Sequence, residues 1–120
     1  MLTYRRVAVV GSREFHNYTQ LKGVLDEFVV QEDWLISGGA LGADSMAQRY
    51  AKERGLLILV IYPDWRLGKG AGFLRNKKIV ENSDLVIAFY RKGYFQAGGT
   101  KNTASWASKL GVELREYEEE

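Results

Sequence analysis

Glycine recurs in this chain where a strand-like run hands over to a helix-like one. The clearest case is Ser37-Gly38-Gly39-Ala40-Leu41-Gly42-Ala43-Asp44-Ser45, which follows apolar Leu35-Ile36 and opens an alanine-rich pattern. Glycine lets a backbone approach an anion closely. The first amides of a helix, with the positive end of its dipole, supply the attraction. The chemistry expected is therefore phosphate binding, with Ser37, Gly38, Gly39 and Gly42 as the cradle. No Gly-Lys-Ser/Thr follows, so this is not a P-loop, and G-G-x-x-G spacing is not the dinucleotide fingerprint. Asp44 admits two roles: capping the helix start, or accepting a hydrogen bond from a ribose hydroxyl.

Three other stretches carry groups of the same kind. Gly11-Ser12-Arg13 follows a short β-branched run. There Gly11 would permit a tight exit, Ser12 would offer a hydroxyl and an amide, and Arg13 would offer a planar fork for phosphate. Gly98-Gly99-Thr100 is a second glycine loop opening a helix, with Thr100 as N-cap or first helical residue. Between them a glycine-punctuated loop from Pro63 to Gly72 holds Asp64, Trp65 and Lys69, and Arg75-Asn76 follow one turn into a helix. Trp65 would stack on a base, Lys69 and Arg75 would neutralise charge, and Asn76 would add a polar contact. His16 has no serine or aspartate pattern around it and reads as a solvated loop residue.

The elements that must position these groups alternate. Residues 4–10 read as a strand, and Leu21, Val24, Leu25, Phe28 and Val29 mark a helix over about 18–30. A strand over 34–37 leads to a helix carrying Ala43, Met46, Ala47, Tyr50 and Ala51 and ending near Gly55. Leu56–Ile61 reads as a third strand. A helix over 71–82 is expected to present Phe73, Leu74, Ile79 and Val80 as its apolar side. Residues 84–89 form a fourth strand, 100–110 the last helix, and 112–115 a short edge strand. Alternation of this kind implies right-handed βαβ units: an α/β, three-layer, Rossmann-like open sheet, mainly parallel, of about five strands with helices on both faces. The loops 11–17, 37–44, 62–72 and 90–100 then all fall at strand carboxyl ends, where such sheets bind ligands.

Composition sets outer bounds. The 120 residues suit one domain over 1–120, with 46% hydrophobic and 27% charged residues. There is no cysteine and one histidine, which excludes disulfides and thiolate or multi-histidine metal sites; a cytoplasmic location is expected. No cofactor is firmly implied, and magnesium accompanying a nucleotide is the one the composition leaves room for. The net charge of +2 becomes about +6 once the acidic end (Glu116, Glu118, Glu119 and Glu120) is left out, which favours an anionic ligand. That charge is small for a protein whose partner is nucleic acid. No apolar run approaches bilayer length, so no membrane partner is expected. Tyr50, Trp106 and Leu110 look like more apolar surface than one small sheet covers, and a homo-oligomer is expected.

Taken together, Gly11-Ser12-Arg13-Glu14-Phe15, Ile36 to Asp44, Pro63-Asp64-Trp65, Gly68 to Asn76, Ala88-Phe89 and Gly99-Thr100 resemble the YspA-type (YpsA-related) branch of the SLOG superfamily, over about residues 5–115. That superfamily joins the Smf/DprA DNA-processing proteins with the LOG enzymes. The resemblance implies a Rossmann-like domain whose glycine loops bind a nucleotide or nucleotide derivative, as a ligand sensor or an enzyme. LOG enzymes hydrolyse the N-glycosidic bond of nucleoside monophosphates, using an arginine and a motif close to G-G-x-G-T-x-x-E. Here Arg75 matches the arginine and Gly99-Thr100 the G-T pair, but the glutamate position falls on Thr103. A threonine cannot stabilise oxocarbenium-like charge, so LOG-type hydrolysis would need Asp44, Asp64 or Glu14 in its place. The rival expectation, from the Smf/DprA side, is single-stranded nucleic-acid binding.

Overall fold

The computed structural model describes residues 4–120. The chain runs β1 (Arg6–Gly11), α1 (Tyr18–Phe28), β2 (Trp34–Ser37), α2 (Ala43–Arg54), β3 (Ile58–Val60), a 3₁₀ turn (Trp65–Gly70), α3 (Ala71–Glu81), β4 (Leu85–Tyr90), α4 (Gly98–Leu110) and β5 (Glu113–Glu118). The strands form one sheet in the order β3-β2-β1-β4-β5, with every pair parallel. The order reverses at β1, which has β2 on one side and β4 on the other. That switch point leaves a crevice beyond the carboxyl ends of β1 and β4.

Period-two alternation divides the core between two faces. Val7, Val9, Leu35, Leu85, Ile87 and Phe89 meet Leu21 and Leu25 of α1 and Ala47 and Tyr50 of α2. Ala8, Val10, Ile36, Val86 and Ala88 meet Ile79 and Val80 of α3 and Ala107 of α4. β1 and β4 are therefore buried on both sides, which explains their unbroken apolar runs. Local signals set the helix ends. The Asn17 side chain accepts from the Gln20 amide at 3.0 Å to start α1, and left-handed Gly55 and Gly111 close α2 and α4.

The structure corrects several expectations. The third strand is Ile58–Val60 rather than 56–61 and lies at the sheet edge, with Leu57 and Leu59 exposed. β3 pairs with β2 alone and leaves Leu59 uncovered, so its apolar run reports no two-sided burial. Phe73 and Leu74 are likewise exposed, because α3 buries the side carrying Asn76, Ile79 and Val80. Tyr50, which looked like surplus apolar surface, is a core residue whose hydroxyl donates to Asp26 at 2.7 Å. The acidic end, which the sequence showed only as a run of charge, is part of the fold. Glu116 and Glu118 belong to β5, and buried Glu119 accepts from the His16 amide at 2.9 Å. The His16 ring remains exposed.

Candidate functional site

A cleft of about 380 Å³ opens at the carboxyl ends of β1, β2 and β4. Its floor depends on close backbone approach. Gly11 pairs with Phe89 across the sheet, the Ser12 amide donates to the Phe89 carbonyl at 2.9 Å, and a Cβ on Gly11 would strike both that carbonyl and Ala43. Gly42 has φ +70°, and a Cβ there would collide with the Ser12 and Arg13 backbone. The β1–α1 loop is thereby laid directly over the start of α2, where the Ala43 amide reaches the Ser12 carbonyl at 3.3 Å.

Asp44 is buried at the second position of α2 and lines the cleft. It is not the N-cap, which is Gly42; instead its Oδ2 accepts from the Ala40 amide at 3.1 Å, folding the glycine loop over the helix start. Burial pushes its carboxyl up to about 6, against the pull of the Ala40 N–H and the Arg75 and Arg13 charges. Ser37 pins the loop from beneath: its hydroxyl donates to the Asp44 carbonyl and accepts from the Gly39 amide, both at 3.3 Å. Arg75, on the first turns of α3, reaches across to this loop. Its Nη1 donates to the Gly38 carbonyl at 2.5 Å and the Ile61 carbonyl at 3.4 Å, and its Nε to Asn76 Oδ1 at 2.9 Å. Burial lowers the Arg75 pKa and the Asp44 charge raises it.

The opposite wall is the start of α4. The helix begins at Gly98, so Thr100 is its third residue rather than its cap, and the N-cap Ala97 has no side chain to satisfy the first amides. Gly98 and Gly99 are exposed along the cleft, with Thr100 and Thr103 buried behind them. A helix start with uncapped amides facing an open cleft has the chemistry of an anion site.

Among residues singled out from sequence, Gly11, Ser12, Arg13 and Glu14 line the cleft from the first loop, and Gly38 and Asp44 from the second. Trp65, Lys69, Arg75 and Asn76 line it from the 3₁₀ turn and α3, and Gly98, Gly99 and Thr100 from α4. Glu14 accepts from the Ser12 hydroxyl at 2.8 Å, which holds its carboxyl below the usual range. Ser37, Gly39 and Gly42 support the loop without lining the cleft, and Gly39 packs against Tyr62. Asp64 also lies outside it, bound to Arg66 Nε and Nη2 at 2.9 Å each. Sequence reasoning passed over Ala40, Gly72, Phe73, Ala97 and Asn102, which line or brace the cleft. Asn102 carries no local signal: it meets α3 only because α3 and α4 pack together.

The fold and cleft define a Rossmann-like domain with two glycine loops set around one crevice. The family model for the YspA, cpYpsA-related SLOG family matches residues 5–68, just over half of the chain, and the chain belongs to that family. It is 30% identical over 118 residues to the Gene 61 protein of Mycobacterium phage D29, covering 90% of this chain and 92% of the phage protein. Two solved structures share the fold. One is TM1055, a structural genomics target, with a TM-score of 0.66 and 18% identity, covering 92% of this chain and 72% of that one. The other is DNA processing protein A (DprA) from Streptococcus pneumoniae, with a TM-score of 0.55 and 20% identity. The match covers 92% of this chain and 58% of DprA. No helix among the described residues is long and apolar enough to cross a membrane.

Proposed function

We propose that the cleft binds a nucleotide or nucleotide derivative through its phosphates. The observation that carries this reading is the uncapped start of α4, with exposed Gly98 and Gly99, lining the same cleft as Arg13 and Lys69. Helix amides and a guanidinium fork are the groups that recognise phosphate. Gly38, Arg75 and the start of α2 form the second wall of the cleft. Trp65, largely exposed at the rim, covers the base, and buried Asp44 accepts from a ribose hydroxyl. Magnesium, where the ligand needs it, travels on the ligand's phosphates. Assembly as a homo-oligomer belongs to the same proposal, with exposed Leu41, Tyr62, Leu67 and Leu74 as the apolar surface.

The test is isothermal titration with AMP, ADP-ribose, NAD and ribose 5-phosphate. At least one should bind, and Arg13→Ala should weaken it by about tenfold or more, as expected for a charge-assisted hydrogen bond. No heat with any of the four at millimolar concentration would sink the proposal. A second reading, N-glycosidic hydrolysis, is favoured by one observation: Asp44 has a carboxyl that titrates near 6 inside the cleft, the property of a general acid or base. Chromatography of the AMP and NAD mixtures for free base decides it. Base release that is unchanged by Asp44→Asn would remove Asp44 from that role.

A further inference from the structure

Asn76 lies on α3 between the two glycine loops, at 8% exposure. Its Oδ1 accepts from Arg75 Nε at 2.9 Å, and its Nδ2 donates to Asn102 Oδ1 at 3.1 Å and to the Gly99 carbonyl at 3.5 Å. A guanidinium only donates and a carbonyl only accepts, so the amide has one orientation that satisfies all three partners. Arg75 in turn holds the Gly38 carbonyl through Nη1. An unbroken chain of hydrogen bonds thus runs from the carbonyl of one glycine loop, through Arg75 and Asn76, to the carbonyl at the start of the other helix. Members of such a chain polarise and orient one another.

We infer that Asn76 is a positioning residue that ties Arg75 and the Gly38 loop to the start of α4 at Gly99, and so sets the spacing of the two walls of the cleft. Both N–H groups of its amide are spent on protein oxygens, so its contribution is to hold the walls rather than to grip a ligand. The inference rests on the proposed nucleotide reading only in its consequence for affinity. A ligand with two phosphates, touching both walls, depends on their spacing; a ligand with one phosphate depends on it less.

Two variants separate this role from simple packing. Asn76→Ala cuts the chain on both sides. Asn76→Asp has nearly the same volume and keeps an acceptor for Arg75, but it loses the donors to Gly99 and Asn102. Amide hydrogen exchange on the full chain reads each wall without any ligand, at Ala40 and Ile61 beside Gly38 and at Lys101 and Asn102 in α4. Exchange should quicken by about tenfold on both sides in Asn76→Ala, and on the α4 side alone in Asn76→Asp, the scale of one or two lost hydrogen bonds. Equal loosening of both walls in the two variants, or an unchanged Gly38 side in Asn76→Ala, would overturn the inference. Asn102→Ala, at a half-buried position, should reproduce the Asn76→Asp pattern, and it serves if either Asn76 variant fails to fold. In titrations, both Asn76 variants should weaken ADP-ribose about tenfold more than ribose 5-phosphate, whereas a purely structural loss would weaken both alike. Wild-type protein that binds none of the four ligands would end the nucleotide reading, while the exchange pattern would still decide the role of Asn76.

Discussion

Asp44 opposes folding at neutral pH. Its folded-state pKa, about 6, stands above the ordinary value of 3.8, because desolvation outweighs the Ala40 amide and the nearby arginines. The folded protein therefore holds a proton that the unfolded chain would release. The resulting stability is complete below the ordinary value and is lost as pH rises through about 6. Two pKa units correspond to roughly 3 kcal/mol. Urea unfolding should show wild-type stability rising as pH falls from 8 to 5, with Asp44→Asn nearly flat over that window and more stable than wild type at pH 8. A wild-type curve as flat as the variant's would contradict the burial argument. A fold that tolerates such a carboxylate is the pattern expected where a residue serves a site rather than stability. In the sequence Asp44 was legible as a candidate, because an acid beside a glycine loop at a helix start has few uses. Its burial was not legible, because that depends on Arg75, Arg13 and the overlying Ser12–Arg13 backbone arriving from distant parts of the chain.

At the scale of elements, the two glycines in the α2–α3 region that most invite substitution should behave in opposite ways. Gly42 adopts φ +70° with the Ser12 and Arg13 backbone against it, so Gly42→Ala should lower stability by roughly 2 kcal/mol or more. Gly72 lies inside α3 with nothing near its would-be Cβ, and Gly72→Ala should be neutral or stabilising by up to about 1 kcal/mol. Thermal melting of the pair checks both, and equal losses would refute the steric account of the first loop. The paired strands β1 and β4 could be read from their apolar runs because both faces of a central parallel strand are buried. The run Leu56–Ile61 looked the same but belongs to the edge strand β3, since position in a sheet is no property of a segment. Phe73 and Leu74 failed for a related reason. Helical periodicity says that a helix has an apolar side, but the packing partners decide which residues form it.

Across the whole molecule, the core rests on the two central strands. Ile87→Ala should cost about 2–5 kcal/mol, a large share of the roughly 6–18 kcal/mol typical for a chain of this size. Leu59→Ala, on the exposed edge, should stay within about 1 kcal/mol. Urea denaturation of the two variants tests whether stability follows sheet position rather than residue type. The acidic end shows the same dependence on the assembled molecule: Glu116 accepts from Tyr90 at 2.6 Å and Gln96 at 3.0 Å, and Glu118 from the Gly93 amide at 2.7 Å. These carboxylates brace the loop before α4 instead of forming a free charged tail.

The amino-acid sequence alone determined the alternation of strands and helices, the parallel open sheet, the family resemblance and the gathering of glycine loops at strand carboxyl ends. All of these follow from short-range periodicity and from residue types at element boundaries, which a linear chain displays directly. Tertiary structure alone decided which glycines face the cleft and which pack the backbone, which carboxylate is buried, and how Arg75 and Asn76 join the two walls. Those outcomes depend on contacts between residues far apart in the chain, 23 positions for the Asn76–Gly99 hydrogen bond and 37 for Arg75–Gly38. Separations of that kind are closed only when the sheet brings its strand ends together.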